Sequence, residues 1–259
     1  MPRIHFLGTC SGTEPIEGMH QASTIVEVDG VNYWFDAGEG CGYRAFLSGV
    51  DVLKSRAIFL SHMHIDHIGG LPHLLFCIQK MIARRKEPLI NDGTMDIFAP
   101  DLEVLGAVKS VTCANLTNHA SLGFHTKDTL MRDGLLFDDG VLRVSAIHNT
   151  HLHEDGSRGW HAYSFLIEVE GKRIVHSGDV GRPEELLPLM ADGCDLLIME
   201  TGHHKVKDVC EFAQAHGVQR LRFTHHGREI INDRAGMEAL VASYPYDYQI
   251  AYDGLIEEI

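Results

Sequence analysis

Two stretches of the chain, EVDGVNYWFDAGEG from Glu27 to Gly40 and EVEGKRIVHSGDVG from Glu168 to Gly181, repeat one layout. Each reads as a hairpin, turning at Asp29-Gly30 and at Glu170-Gly171, that runs into an acidic, glycine-rich loop. Each is followed by a helical pattern and then by a strand ending in histidine, AIFLSHMH in the first half and LRFTHH in the second. This shared order constrains the fold more than any single element does. It predicts a duplicated α/β arrangement, sheet on sheet with helices outside, that brings both sets of strand ends to one edge.

Strand-like runs recur from Arg3 to Leu7, Ser23 to Val28, Val31 to Asp36, Ala57 to Leu60, Met95 to Ala99, Val141 to Ile147 and Tyr163 to Val169, and then from Arg173 to His176, Asp195 to Met199, Arg220 to Thr224 and Tyr248 to Ala251. Helical patterns fall between them, from Tyr43 to Leu47, Leu71 to Arg85, Leu102 to Val111, Glu184 to Met190, Val206 to His216 and Arg234 to Ser243. No linker or low-complexity segment interrupts them, so the expectation is one α/β domain over residues 1–259.

The first histidine-rich strand end, FLSHMHIDHIGG, places His62, His64, Asp66 and His67 on the turn between a buried strand and a helix. Such turns are where α/β proteins build sites, because a rigid scaffold lets side chains converge. Imidazole and carboxylate suit zinc, manganese or iron; His62 and His64, one residue apart on an extended turn, can clasp one ion, while Asp66 and His67 address a second. With 18 histidines in the chain an isolated His-x-His means little, but this spacing between a hydrophobic strand and Gly-Gly reads as a metal site. Two ions held close together need a bridging carboxylate and further ligands, for which the second half offers Asp179, His225 and a histidine of AIHNTHLHEDG.

Composition narrows the partners. The formal charge of −14 argues against a surface built to grip nucleic acid, since polyanion binding rests on Lys and Arg. The one basic cluster, Arg84, Arg85 and Lys86, sits where a helix dipole already favours cations. No apolar stretch reaches the roughly 20 residues of a membrane span, and the six scattered cysteines form no Cys-x-x-Cys pair. A soluble, cytoplasmic protein with reduced thiols is expected.

The motif HMHIDH resembles the His-x-His-x-Asp-His signature of the metallo-β-lactamase superfamily. FLGTCSGTEP, WFDAGEG, HSGD and FTHHG are similar to successive motifs of its ribonuclease Z branch. The resemblance implies an αββα four-layer sandwich with two mixed sheets and a hydrolase with two divalent ions, zinc first and manganese or iron as alternatives. It implies that His62, His64 and a middle histidine hold one ion, that Asp66, His67 and His225 hold the other, that Asp179 bridges, and that Asp36 braces a ligand histidine. His151 is the first choice for the middle ligand, with His148 and His153 near enough to compete. In the same branch a His-Glu-Ala-Thr motif stands where this chain has METG, so Glu200 matches while Met199 replaces the catalytic histidine. His203 or His204 is then the candidate acid, the plain alternative being two solvated loop histidines.

The expected reaction is hydrolysis of a small or cyclic phosphodiester by a hydroxide between the metals, with Asp66 orienting it and accepting its proton. An ester, lactone or thioester hydrolase on the same metals is the alternative, and a tRNA 3′ processing endonuclease the less favoured reading. The branch's tRNA-binding arm has no counterpart between His151 and Asp179, where the hairpin takes up most of the chain. Residues from Asn115 to Asp133 are read as a cap over the cleft or a homodimer contact. A small-molecule substrate in preference to nucleic acid, and no membrane, complete the expectation.

Overall fold

The computed structural model describes residues 1–113, 123–152 and 160–259. The chain divides into two compact units: residues 1–8, 15–131 and 253–259 form the first, residues 9–14 and 132–252 the second. The fold class is α/β, two mixed sheets flanked by helices.

The first unit carries a seven-stranded sheet built from β1 (Arg3–Gly8), β2 (Ser23–Val28), β3 (Val31–Phe35), β4 (Ser55–Phe59), β5 (Thr94–Ala99), β6 (His125–Leu130) and β14 (Ile256–Glu258) in the order β14-β1-β2-β3-β4-β5-β6. Pairing is antiparallel from β14 through β3 and parallel from β3 through β6. Its helices are α1 (Cys41–Leu47), α2 (Ile65–Ile68), α3 (Leu71–Arg85), the single turn α4 (Ile90–Gly93) and α5 (Leu102–Cys113). Helix α3 occupies its expected span because Leu71, Leu74, Leu75 and Ile78 recur at helical spacing and bury one face against Leu7, Ile25, Trp34, Ile58 and Ile97 of the sheet. Each such side chain contributes about 1.5–3 kcal/mol by leaving water. Elsewhere in this unit Phe35, Phe59 and Phe98 stack in sequence across β3, β4 and β5, at centroid distances of 5.1 and 4.9 Å.

The second unit has its own sheet, built from β7 (Gly134–Asp138), β8 (Leu142–His148), β9 (Tyr163–Val169), β10 (Lys172–His176), β11 (Leu196–Thr201), β12 (Arg220–His226) and β13 (Asp247–Ile250) in the order β13-β12-β11-β10-β9-β8-β7. Pairing is antiparallel from β7 through β10 and parallel from β10 through β13. The helices are α6 (Leu187–Met190), α7 (Val206–Ala215), α8 (Arg228–Asn232) and α9 (Arg234–Ala242). Val206, Val209, Cys210, Phe212 and Ala213 turn the buried face of α7 onto Val175, Leu197, Leu221 and Phe223.

Both units therefore share one pairing pattern, and both predicted hairpins are present. Their turns have left-handed backbones at Asp29 and Gly30 (φ 49° and 80°) and at Glu170 and Gly171 (φ 46° and 74°), the pair of positive φ values that matches the twist of the flanking strands. The correspondence of the halves differs from the expected one by a strand. β4 follows β3 as its parallel neighbour, and β11 stands in the same relation to β10. The counterpart of the His62/His64 strand end is thus the end of β11, with Glu200, His203 and His204, whereas the histidines of β12 correspond to β5.

Other differences are local. Pro183–Leu186 forms a 3-10 turn ahead of the short α6 rather than one continuous helix, with prolines at the start of both turns. Strands β6, β7 and β14 were not anticipated, because HTKDTL, GLLFD and IEE lack apolar alternation on their exposed sheet-edge positions. The stretch expected to cap the cleft contributes β6 instead, while residues 114–122 of it, like His153, lie outside the described residues. Among the described residues no helix is long and apolar enough to cross a membrane.

Candidate metal centre

In the first unit the site begins where β3 ends. Asp36 adopts a left-handed backbone (φ 61°), and its buried carboxylate accepts from the Ser61 backbone N–H at 2.7 Å, the Ser61 hydroxyl at 2.8 Å and His67 Nδ1 at 2.7 Å. One carboxylate thus ties the end of β4 to α2. His67 donates through Nδ1, which places its lone pair on Nε2, the tautomer suited to a metal ligand. The His62 ring lies 4.0 Å from that of His67 and 4.6 Å from that of His64, and Asp66 Oδ2 lies 3.5 Å from His67 Nε2. His62, Asp66 and His67 are buried, and His64 is exposed. Two glycines make this packing possible: a Cβ on Gly38 would meet the Asp66 carbonyl oxygen at 2.3 Å, and one on Gly70 the Gly38 carbonyl oxygen at 2.0 Å.

In the second unit the ends of β8, β10, β11 and β12 supply the side chains. Asn149, buried behind β8, donates to Ser164 Oγ and the Asp179 carbonyl, each at 3.0 Å, and its Oδ1 accepts from the His151 N–H at 3.0 Å. His151 Nε2 then lies 3.7 Å from Asp179 Oδ2, and His225 Nδ1 lies 3.4 Å from Asp179 Oδ1. His225 also has a left-handed backbone (φ 49°), an uncommon conformation for a residue with a Cβ that recurs at functional sites. Ligand atoms of His151, Asp179 and His203 lie within 4.8 Å of one another, as do those of Glu200, His203 and His225.

Glu200 is the buried counterweight. Its Oε1 accepts from His203 Nδ1 at 3.1 Å and its Oε2 from the His203 N–H at 2.9 Å. Burial pushes this carboxyl up, but the bonds from His203 and the imidazole of His225 outweigh it and hold the pKa at about 2. The same bond raises His203 above the ordinary histidine value. His204 is committed elsewhere, with Nε2 2.8 Å from the Val180 carbonyl. Met199 is fully buried in the core.

Each sequence-predicted residue thus lies at a strand end of its own unit: His62, His64, Asp66 and His67 in the first, His151, Asp179, Glu200, His203, His204 and His225 in the second. His148 stands apart, held at Nδ1 by Asp133 at 2.7 Å. Asn149 and Ser61 were missed; a polar residue just beyond a buried strand, beside a histidine, was their only signal.

The family model of the β-lactamase superfamily domain matches residues 32–226. The chain belongs to this family. This superfamily member is 26% identical to the ribonuclease Z of Methanothermobacter thermautotrophicus over 95% of its own length and 93% of that protein's, and 27% identical to the ribonuclease Z of Pseudomonas putida over 88% and 85%. Its fold is that of human tRNase Z, short form, with a TM-score of 0.73 and 22% identity over 99% of both chains. It is a ribonuclease Z-like protein of the metallo-β-lactamase superfamily and a metal-dependent hydrolase. The superfamily implies divalent metal, and the clusters of imidazole and carboxylate fit it: the donors are of the type zinc prefers, and the His67 tautomer is set by Asp36.

Proposed function

We propose that this chain is a dinuclear metal-dependent phosphodiesterase and that its two units are halves of one domain. The observation that carries the reading is the donor set, imidazoles and carboxylates at corresponding strand ends of a duplicated layout, with carboxylates fixing His67 and His203. The proposed ligands are His62, His64 and His151 for one ion and Asp66, His67 and His225 for the other, with Asp179 shared; zinc is the proposed metal. Bound, such ions supply Lewis acidity toward a phosphoryl oxygen and lower the pKa of coordinated water to roughly 7.

The protein's own groups do the rest. Asp66 accepts the proton of the attacking water. Asp36 and Asn149 hold the loops of His67 and His151 still. Glu200 accepts from His203 Nδ1, so that Nε2 is the position from which a proton passes to the leaving oxygen, and its negative charge favours the protonated ring. His203, 45% exposed, is the proposed acid in preference to His204, which is hydrogen-bonded to Val180.

The substrate reading is a phosphodiester, small or cyclic. The expectation against nucleic acid is corrected in part by the two ribonuclease Z relatives, whose matches span most of both chains. Net charge misled because it averages over the whole surface, whereas metal-assisted recognition of one phosphate is local. An RNA 3′ end therefore joins the small diesters as a candidate. A homodimer is proposed through α1 and α3, where Tyr43, Phe46, Leu47 and Phe76 are 56, 74, 53 and 39% exposed. Cys41, Cys77, Cys194 and Cys210 are not in disulfides, which suits a cytoplasmic setting.

Zinc-loaded protein assayed against bis-p-nitrophenyl phosphate, p-nitrophenyl esters, a lactone and a precursor tRNA tests the reading. Diester hydrolysis that is lost to a chelator and restored by zinc is the expected result. Turnover of esters or lactones without diesters would overturn it, and trimming of the precursor would place the substrate on the RNA side.

A further inference from the structure

Beside the His151 loop lies a pair of rings that the reaction above does not use. His148 ends β8, and its ring stacks on Trp160 at a centroid distance of 4.0 Å with only 17° between the planes. The imidazole cannot turn away. Asp133 accepts from both its backbone N–H and its Nδ1, each at 2.7 Å, so the ring is pinned from the end of β8 itself. The base of the loop is equally fixed: His148 pairs with Tyr163 of β9, and the Asn149 N–H donates to the Ala162 carbonyl at 2.9 Å.

The pair is accessible, which separates it from core aromatics. The His148 side chain is 35% exposed and that of Asp133 51%, and Trp160 is half-buried. A tryptophan kept partly in water and held flat on a pinned imidazole is a rigid π surface, the kind of surface on which nucleic-acid bases stack irrespective of sequence. His151 lies three positions along the chain from His148, and that length of chain reaches at most about 11 Å. The stack is therefore within nucleotide reach of the His151 and Asp179 side chains.

We propose that the Trp160–His148 stack is a nucleobase platform, and that the substrate is a phosphodiester carrying a nucleoside on one side of the scissile bond. This rests on the phosphodiesterase reading and adds the chemical class of one substituent. Asp133 is a positioning residue, which acts by holding the imidazole under the indole.

The chain has two tryptophans, and the other, Trp34, is fully buried with its Nε1 donating to Ser55 Oγ at 2.9 Å. Fluorescence quenching by a soluble ligand thus reads Trp160. Adenosine 5′-monophosphate is expected to quench the full-length protein saturably, and ribose 5-phosphate to leave the emission unchanged. In the second arm, thymidine 5′-(p-nitrophenyl phosphate) and methyl p-nitrophenyl phosphate are compared as substrates. The ratio of their kcat/KM values should fall roughly ten-fold or more in Trp160→Ala, through KM of the nucleoside substrate, and recover in Trp160→Phe.

Equal quenching by the two phosphates, or by neither, overturns the platform, as does a Trp160→Ala variant in which both substrates lose rate together. The two readings separate cleanly. Wild-type protein that hydrolyses the methyl diester but shows neither quenching nor preference for the nucleoside keeps the reaction and removes the platform. Saturable quenching by the adenosine monophosphate without hydrolysis of any diester keeps the platform and removes the reaction.

Discussion

Asp36 Oδ2 lies 2.7 Å from His67 Nδ1, and the same carboxylate holds the Ser61 backbone at 2.7 Å. A single negative charge therefore fixes both the tautomer of His67 and the path of the strand end that carries His62. Asp36→Asn isolates that charge, because asparagine tolerates the left-handed backbone of this position. Zinc affinity should fall about 10–100-fold, the usual effect of removing a ligand's carboxylate partner. Competition with a chromophoric chelator measures it, and an unchanged affinity would remove Asp36 from the site.

Asp66 has two proposed roles, ligand and proton acceptor, whereas each of the proposed ions would keep other ligands without it. Asp66→Ala is expected to lose nearly all turnover while retaining a substantial part of its metal. Metal content by emission spectroscopy, taken on the same samples as the rates, checks this. Near wild-type turnover would exclude Asp66 from proton transfer.

Gly202 faces His225 so closely that a Cβ there would lie 2.5 Å from His225 Nδ1. Gly202→Ala must therefore displace the imidazole, which hangs on a strained backbone with little freedom to retreat. We expect metal content to drop toward one ion per chain with the thermal midpoint of the chelated protein lowered by only a few degrees, the effect of about 1 kcal/mol. Full occupancy by two ions in this variant would show that His225 is not a ligand.

Two buried histidines set the acid limb of stability. Burial lowers His226 from 6.5 to about 3, and burial lowers His5 as well despite its 2.8 Å contact with Glu27. Below pH 6.5 the unfolded chain takes up protons that these folded rings refuse, so stability falls as pH drops through 6.5, for His226 until about pH 3. The slope is up to about 1.4 kcal/mol per pH unit for each ring. Urea unfolding in chelator between pH 7.5 and 5 should show this loss, and His226→Gln, which can still donate to the Ala251 carbonyl, should flatten it. Parallel slopes for the two proteins would contradict the assignment.

Much of this was legible because it is local. The alternation around Asp29-Gly30 and Glu170-Gly171 specifies hairpins, and Leu71 to Arg85 carries its helical period and a proline in its first turn, so these elements appear where the residues place them. The histidine motif was legible for the same reason: its side chains are neighbours in sequence. What the chain hid was long-range pairing. Nothing local distinguishes β11 from β12 as the partner of β10, and so the second-half counterpart of His62 was assigned to His225 when the topology gives it to the end of β11. The bracing of His151 by Asn149, through Asp179 and Ser164, was equally invisible, since it joins three strand ends far apart in sequence.

The two units are not consecutive stretches of chain: residues 9–14 belong with the second, and residues 253–259 return to the first. Strand β14 pairs with β1, Ile4 opposite Glu257, so β1 is synthesised long before the strand that covers it. Until then the N–H and C=O groups of Arg3 to His5 on that side form an open edge, a template for any other extended chain. The second sheet, by contrast, has all its strands in hand once Ile250 has emerged. During synthesis the aggregation hazard therefore resides at the amino-terminal edge, and cutting the chain at any one point cannot yield both units whole.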